Sequence, residues 1–307
     1  MRKIAFIFPG QGSQYIGMGK EFVENFPEAR EIMNRAENIL NIDLMNLCFN
    51  GPLDKLSNTE NTQAAIYTVS YIINHILRKR EIHPHFVAGH SLGEYSALAS
   101  ARVFSFEEGL RLVRQRGLIM NNAFSEGRGA MAAVIGLGDK MVETICKKTQ
   151  GVCEIANYNS PGQVVISGEK DAVLKACQLA GKEGALKTVV LKVSGPFHSS
   201  LMKGAEKRLA KELDALKFLK PVIPVVANVT ADFIVDPNHI KGLLLEQLSR
   251  SVRWVESMNL LISENVDIFV EVGPGKVLKG LMRRINRSVN TYNVEDLKSL
   301  KKLLEKL

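Results

Sequence analysis

Residues 85–95 read His-Phe-Val-Ala-Gly-His-Ser-Leu-Gly-Glu-Tyr, a short apolar run that leads directly into Gly89-His90-Ser91-Leu92-Gly93. A G-x-S-x-G pattern between a buried strand and a helix is typical of a tight turn that raises the serine hydroxyl above a sheet. The run at 85–89 predicts the strand, and Glu94–Ala101 predicts the start of the helix. We therefore expect Ser91 to be a nucleophile on an α/β fold, with a purely structural turn as the alternative.

The same order of strand, turn and helix occurs elsewhere in the chain. Ile4–Phe8 is a continuous apolar run followed by a glycine-rich turn, and Ala64–Arg80 carries apolar residues at helical spacing. Beyond residue 195, apolar runs at Ile223–Asn228 and Ile268–Val272 alternate with helical patterns. Strands that alternate with helices favour a mostly parallel sheet.

The segment from 128 to 194 has a different pattern. Its runs predict a strand, a helix, two strands joined by the turn sequence Asn159-Ser160-Pro161-Gly162, a second helix and a last strand. This β-α-β-β-α-β order is that of a ferredoxin-like unit. We therefore predict a small domain over residues 128–194, inserted into a large α/β domain made of residues 1–127 and 195–307.

Composition excludes several classes of protein. The 307 residues are 46% hydrophobic and 23% charged, as in a soluble globular protein, and the apolar runs are too short to span a membrane. Cys48, Cys146, Cys153 and Cys177 include no C-x-x-C pair, which predicts reduced thiols in a cytoplasm and no metal site. The chain carries a net charge of +8, mostly after residue 275, which favours an acidic partner. No motif indicates nucleic-acid binding.

Two loops and one histidine are candidates for the rest of a serine site. His198 lies in Gly195-Pro196-Phe197-His198-Ser199, where the small domain rejoins the large one, and is the candidate base; the side chain of His90 should point away from Ser91. The loop Pro9–Gln14 fails both the dinucleotide and the P-loop patterns, so its amides are candidates for oxyanion donors. Arg116 is a candidate for gripping a carboxylate, unless it is a solvated charge.

Six motifs in order along the chain resemble one family. They are Pro9–Gln14 (PGQGSQ), Gly89–Tyr95 (GHSLGEY), Gln115–Gly117 (QRG), Asn157–Gly168 (NYNSPGQVVISG), Gly195–Ser199 (GPFHS) and Glu271–Gly275 (EVGPG). Together they are similar to the malonyl-CoA:acyl carrier protein transacylases of dissociated fatty acid synthesis. The resemblance extends from about residue 3 to about residue 290, nearly the whole chain.

The resemblance implies a hydrolase-like parallel-sheet core with a ferredoxin-like insertion, and a malonyl group moved from malonyl-CoA to the carrier through a malonyl-serine. It implies no cofactor or metal. The cysteine usage described above indicates a cytoplasmic location, and we expect a monomer because nothing in the sequence suggests an obligate dimer. It assigns Ser91 as nucleophile, His198 as base, Gln11 and Leu92 as the oxyanion hole, Arg116 as the carboxylate ligand and Gln247 as the residue whose carbonyl orients the histidine. Phe197 suggests a preference for malonyl. Some members carry two adjacent basic residues that contact the carrier, and this chain has Leu186 and Lys187 at those positions.

The alternative is a serine esterase or thioesterase built on the same turn. In α/β-hydrolases the histidine follows the acid and lies near the C-terminus. Here the last histidine, His239, lies well before the end of the chain and His198 comes earlier still. The order of residues therefore favours transfer over hydrolysis.

Overall fold

The computed structural model describes residues 2–124, 127–193 and 195–307, which form two sheets flanked by helices. Met1 and Ser194, which bound two of the predicted domain ranges, lie outside the described residues. Residues 2–124 form β1 (Ile4–Phe8), α1 (Lys20–Asn25), α2 (Pro27–Leu40), α3 (Leu44–Asn50), α4 (Leu53–Ser57), α5 (Thr59–Lys79), β2 (Phe86–Gly89), α6 (Leu92–Ser100) and α7 (Phe106–Asn121).

Residues 127–193 contain β3 (Gly129–Ile135), α8 (Asp139–Lys148), β4 (Cys153–Ser160), β5 (Gln163–Glu169), α9 (Lys170–Lys182) and β6 (Lys187–Val190). The chain then forms a 3-10 turn (Ser200–Met202), α10 (Lys203–Asp214), β7 (Val225–Val226), a second 3-10 turn (Pro237–His239), α11 (Ile240–Ser249), α12 (Trp254–Ser263), β8 (Ile268–Val272), α13 (Val277–Ile285), β9 (Asn290–Val294) and α14 (Leu297–Leu304). No helix in these ranges has the length and apolar character needed to cross a membrane.

The larger sheet has five strands in the order β7-β2-β1-β8-β9, and every neighbouring pair is parallel. Its central strand β1 is almost entirely buried, as expected for an apolar strand covered by helices on both faces. Phe6 and Phe8 face one apolar cluster with α5 and α6, while Ala5 and Ile7 face another with α12 and α13. The predicted parallel-sheet core is confirmed.

The smaller sheet is antiparallel, in the order β4-β5-β3-β6, and α8 and α9 cover one of its faces. This arrangement confirms the predicted β-α-β-β-α-β unit. Two main-chain hydrogen bonds join β4 to the segment before α12: Val252 N donates to Ala156 O at 2.8 Å, and Tyr158 N donates to Val252 O at 3.0 Å. These bonds fix the small sheet against the large one beside the site described below.

Several elements differ from the sequence-based expectation. The predicted strand at 223–228 keeps only Val225–Val226, because Ala227 N turns back to bond Asp232 O at 3.0 Å. The predicted strand at 187–193 ends at Val190, and Leu191 and Val193 instead line a cavity between the two sheets. The helices α2 to α4 and the strand β9 were not predicted, and β9 adds a parallel edge to β8.

Candidate active site

The turn between β2 and α6 holds Ser91 in an unusual backbone conformation, with φ 51° and ψ −106°. A positive φ at a non-glycine residue is strained, and such strain is found mostly at functional sites. The turn is tight because glycine stands on both sides. A Cβ on Gly89 would lie 1.9 Å from the carbonyl of Gly93, and a Cβ on Gly93 would lie 2.0 Å from Phe8 O. The predicted strand, turn and helix are therefore present.

His198 contacts the hydroxyl of this serine. Ser91 Oγ lies 2.7 Å from His198 Nε2, and His198 Nδ1 lies 2.6 Å from the main-chain oxygen of Gln247. A carbonyl oxygen only accepts hydrogen bonds, so Nδ1 must carry the proton and donate it. Nε2 of the neutral ring is then left as the acceptor for the Ser91 hydroxyl.

Burial keeps this imidazole neutral. His198 is 4% exposed, and burial together with the nearby charge of Arg116 lowers its pKa to about 3. A base with this pKa is unprotonated throughout the neutral range. The ring is therefore held in its neutral form, in which Nε2 accepts the hydrogen bond of the Ser91 hydroxyl.

Arg116 reaches the same hydroxyl from α7. Its Nη2 donates to Ser91 Oγ at 3.2 Å and to Gln247 Oε1 at 2.8 Å, and its Nη1 donates to Gln63 Oε1 at 2.8 Å. The side chain is 1% exposed, and its guanidinium lies 5.2 Å from the centre of the Tyr95 ring. Within the described residues it makes no ion pair with a carboxylate, and its Nε has no partner. A buried guanidinium whose hydrogen bonds all go to neutral groups is suited to an anionic ligand.

The other two arginines of α7 lie elsewhere. Arg114 donates to Asn61 Oδ1 on α5, and Arg111 is exposed. The structure therefore brings one arginine of the three to Ser91.

Gln11 and Leu92 line one small cavity together with Ser91. Gln11 lies in the loop after β1, with its side-chain Nε2 3.4 Å from Thr59 Oγ1, and Leu92 is the first residue of α6. The first amides of a helix have no partner within the helix. Neither main-chain N–H donates to another group in the described parts of the chain. Both amides are thus free to bind an oxyanion.

This cavity has a volume of about 90 Å³ and lies between the two sheets. Its apolar lining comes from α7, from β3 and from the segment after β6: Met120, Met131, Leu191, Val193 and Phe197. Pockets that hold drug-sized ligands are several times larger. The cavity therefore has room for a short acyl group whose far end meets Arg116. A larger cleft of about 820 Å³ also reaches His198, between the start of α8 and the segment before α12.

The described residues contain no cluster of three or more His, Cys, Asp or Glu side chains that would hold a metal ion. The chemistry of Arg116 and of the free amides suits an anionic ligand.

The acyl transferase domain model matches residues 5–303 of this chain. The malonyl CoA-acyl carrier protein transacylase of Bacillus subtilis (strain 168) is 44% identical over 310 residues, covering 100% of this chain and 98% of the relative. This chain therefore belongs to the malonyl CoA-acyl carrier protein transacylase family.

Solved structures of this family have the same fold. The transacylase of Clostridium perfringens is 42% identical, with a TM-score of 0.95 over 99% of this chain and 96% of the other. A second structure shows a type II PKS acyl-carrier protein in complex with its malonyl-transacylase. It has a TM-score of 0.97 at 39% identity and covers 99% of this chain and 100% of the other.

The site contains polar residues that the sequence analysis did not single out. Asn228 Oδ1 accepts from Ser91 N at 2.8 Å, and Asn228 Nδ2 donates to Gly89 O at 2.6 Å, which braces the serine turn.

His90 Nε2 lies 2.8 Å from Asn159 Oδ1 of β4, so His198 rather than His90 reaches the hydroxyl. Glu94 is fully buried in α6. The sequence feature that could have indicated Glu94 is that it is the one charged residue in α6.

Proposed function

We propose that this chain transfers a malonyl group from malonyl-CoA to the phosphopantetheine thiol of acyl carrier protein, through a malonyl ester of Ser91. The observation that carries the proposal is the meeting of two groups at the hydroxyl oxygen of Ser91. Ser91 Oγ lies 2.7 Å from a neutral imidazole and 3.2 Å from a buried guanidinium. The first group activates a nucleophile, and the second would bind the free carboxylate of a dicarboxylic acyl group.

In the first half-reaction, Ser91 Oγ attacks the thioester carbonyl while its proton moves to His198 Nε2. The carbonyl oxygen becomes an oxyanion, which the amides of Gln11 and Leu92 would bind. The carbon–sulfur bond then breaks, and His198 gives the proton to the departing thiolate of coenzyme A. In the second half-reaction, the carrier thiol gives its proton to His198 and attacks the ester carbonyl. The bond between the acyl carbon and Ser91 Oγ then breaks, and His198 returns the proton to Oγ.

No metal or redox cofactor enters these steps as we propose them. Each half-reaction exchanges one acyl bond for another, so only proton transfer and charge stabilisation are required. General-base assistance is typically worth about 10²-fold to 10⁴-fold, and one oxyanion donor about 10²-fold to 10³-fold. The Gln247 carbonyl supports the base, because it holds the tautomer in which Nε2 accepts.

The intact mass of the protein tests this proposal. Incubation with malonyl-CoA should add one malonyl group. Acetyl-CoA should label a smaller fraction because the acetyl group has no carboxylate for Arg116, and methylmalonyl-CoA should do so because the small cavity leaves little room for its additional methyl group. Addition of the phosphopantetheinylated carrier should then remove the adduct and produce malonyl-carrier. An adduct that is lost to water at the same rate with and without the carrier would instead identify an esterase.

We further propose that the C-terminal region docks the carrier. A groove of about 830 Å³ lies at α13, β9 and α14, and no acidic side chain lines it. Its basic residues are Lys279, Arg283, Arg284, Arg287 and Lys302. None of them forms an ion pair within the described residues. Burial and the charges of neighbouring basic residues lower the pKa of Lys279, so an acidic partner would relieve this repulsion.

Replacing Arg283 and Arg287 together by alanine should raise the KM for the carrier about 10-fold at low salt, with kcat for malonyl loading unchanged. Added salt should weaken carrier binding in the unmodified protein more than in the double variant, because screening removes the same attraction. The matched control is Lys207→Ala, an exposed charge on α10. A carrier KM that is independent of salt would refute docking at this groove.

We also propose that the protein acts as a monomer in the cytoplasm and binds no nucleic acid. All four cysteines are free thiols, with Cys146 Sγ and Cys153 Sγ 3.6 Å apart, which supports a reducing compartment. Sedimentation of the purified protein measures its mass in solution and tests whether it is a monomer.

A further inference from the structure

Glu94 is a buried acid beside the catalytic residues. It lies in the first turn of α6, three residues after Ser91, and is fully shielded from solvent. A buried carboxylate is costly unless it is hydrogen-bonded or paired with a charge. The contacts of Glu94 should therefore show why it is tolerated there.

Both hydrogen bonds to Glu94 reach one oxygen. Its Oε2 accepts from Gln247 Nε2 at 2.6 Å and from the main-chain N of Asn228 at 3.2 Å. Its Oε1 has no partner among the described residues, and Glu94 makes no direct ion pair there. The short contact with Gln247 is thus the main interaction of this carboxyl group.

Gln247 links Glu94 to the reacting groups. Its side-chain Nε2 donates to Glu94 and to Ser91 O (3.0 Å), its Oε1 accepts from Arg116 Nη2 (2.8 Å), and its main-chain oxygen accepts from His198 Nδ1 (2.6 Å). The two ends of a side-chain amide have nearly the same shape, so the neighbours decide which end faces which way. A carboxylate and a main-chain carbonyl only accept, whereas a guanidinium only donates. Glu94 and Ser91 O on one side and Arg116 on the other therefore define one orientation, and the contact with Glu94 is the shortest of the three.

We propose that Glu94 is a positioning residue for acyl transfer: it fixes the Gln247 side-chain amide so that the amide oxygen holds Arg116 where the acyl carboxylate binds. The inference rests on the proposed function, because it assigns to Arg116 the role of carboxylate ligand. Without Glu94, the NH₂ group of Gln247 loses its shortest hydrogen bond and keeps only Ser91 O at 3.0 Å and Asn228 Oδ1 at 3.4 Å as acceptors. The orientation in which the amide oxygen holds Arg116 is then fixed less firmly, and Arg116 is aimed at Ser91 less precisely.

The charges around Glu94 agree with this role. Burial raises its pKa to about 7, while the hydrogen bond from Gln247, the amide of Asn228 and the positive charge of Arg116 act in the opposite direction. The other titratable groups nearby are Tyr95 on α6, whose pKa burial raises to about 12, and the neutral His198. Arg116 is therefore the only cation in this group, and it is bound to Glu94 through one amide.

The test compares malonyl and acetyl transfer, since an acetyl group has no carboxylate for Arg116 to bind. We expect Glu94→Ala to lower the ratio of the two kcat/KM values, malonyl over acetyl, by about 10-fold to 10²-fold. Glu94→Gln fills the same volume and keeps an acceptor oxygen, yet it also has a donor end that permits the wrong orientation. Its ratio should fall by about 3-fold to 10-fold, between Glu94→Ala and the unmodified protein.

Glu271→Gln is the matched control. Glu271 is also fully buried with a pKa raised by burial to about 7, but it accepts from the amides of Leu278 and Lys279 at the start of α13. Its replacement should leave the malonyl-to-acetyl ratio unchanged. In an Arg116→Ala background, Glu94→Ala should change the ratio by less than about 2-fold, because the positioned group is absent.

Equal losses of malonyl and acetyl transfer in Glu94→Ala would overturn the inference and leave Glu94 a structural residue. If circular dichroism shows that Glu94→Ala is unfolded, Glu94→Gln decides alone, and a ratio equal to that of the unmodified protein would overturn the proposal. Failure of the proposed function looks different: the unmodified protein would then form no malonyl adduct at all.

Discussion

Replacing Ser91 by alanine is expected to abolish the malonyl adduct and to lower kcat for malonyl transfer by about 10⁴-fold to 10⁶-fold. In the proposed reaction the hydroxyl oxygen forms the ester, and it is the atom that both His198 and Arg116 contact. Without it the neutral imidazole has no proton to accept. Intact-mass measurement after incubation with malonyl-CoA, together with the rate of malonyl-carrier formation, checks the result.

The fold should survive this change. Alanine keeps the Cβ atom, so the backbone strain at φ 51° is the same, and Asn228 and Gln247 still hold the main-chain N and O of residue 91. Ser96→Ala is the matched control, because Ser96 lies on the same helix and its buried hydroxyl has no hydrogen-bond partner in the described ranges. A malonyl adduct that peptide mapping places at another residue would refute the assignment.

Replacing Arg116 by alanine is expected to reduce malonyl transfer far more than acetyl transfer. Removing one partner of a buried charge pair typically costs about 2–5 kcal/mol, which corresponds to a loss of about 30-fold to several thousand-fold. An acetyl group makes no such pair, so its transfer should fall less than about 10-fold. Separate measurements of kcat/KM for malonyl-CoA and acetyl-CoA give the comparison.

Arg116→Lys and Arg111→Ala complete this experiment. Lysine keeps the positive charge but cannot make two parallel hydrogen bonds to a carboxylate. The kcat/KM of Arg116→Lys for malonyl-CoA should therefore lie between those of Arg116→Ala and the unmodified protein. Arg111 is exposed on the same helix, and its removal should leave both activities unchanged. Equal losses of malonyl and acetyl transfer in Arg116→Ala would remove Arg116 from substrate selection.

Local patterns predicted the elements that depend on neighbours in the chain. The run at 85–89 followed by a glycine-bounded serine is a strand and a turn, and Ile268–Val272 is a strand with those same bounds. The strand at 223–228 was overestimated, because an apolar run does not reveal where the chain turns back on itself. Helices α2 to α4 were missed although Pro27 is the first residue of α2, a common position for proline in helices.

The polar network around the serine depends on contacts that no local pattern contains. Ser91 and His198 are 107 residues apart, and Glu94 and Gln247 are 153 residues apart. The resemblance assigned the main-chain carbonyl of Gln247. Its side chain, Glu94 and Asn228 take part because α6, α11 and the loop after β7 pack against one another. Helical periodicity shows which face of a helix is apolar, and it does not show which residue of another helix lies opposite.

The sequence by itself determined the parallel sheet, the inserted β-α-β-β-α-β unit and the family, because these follow from apolar periodicity, turn residues and ordered motifs. Tertiary structure alone decided which neutral groups hold Arg116, which nitrogen of His198 carries the proton and which acid contacts Gln247. Those answers depend on hydrogen-bond geometry at distances of about 3 Å between groups from distant parts of the chain, and only packing sets such distances.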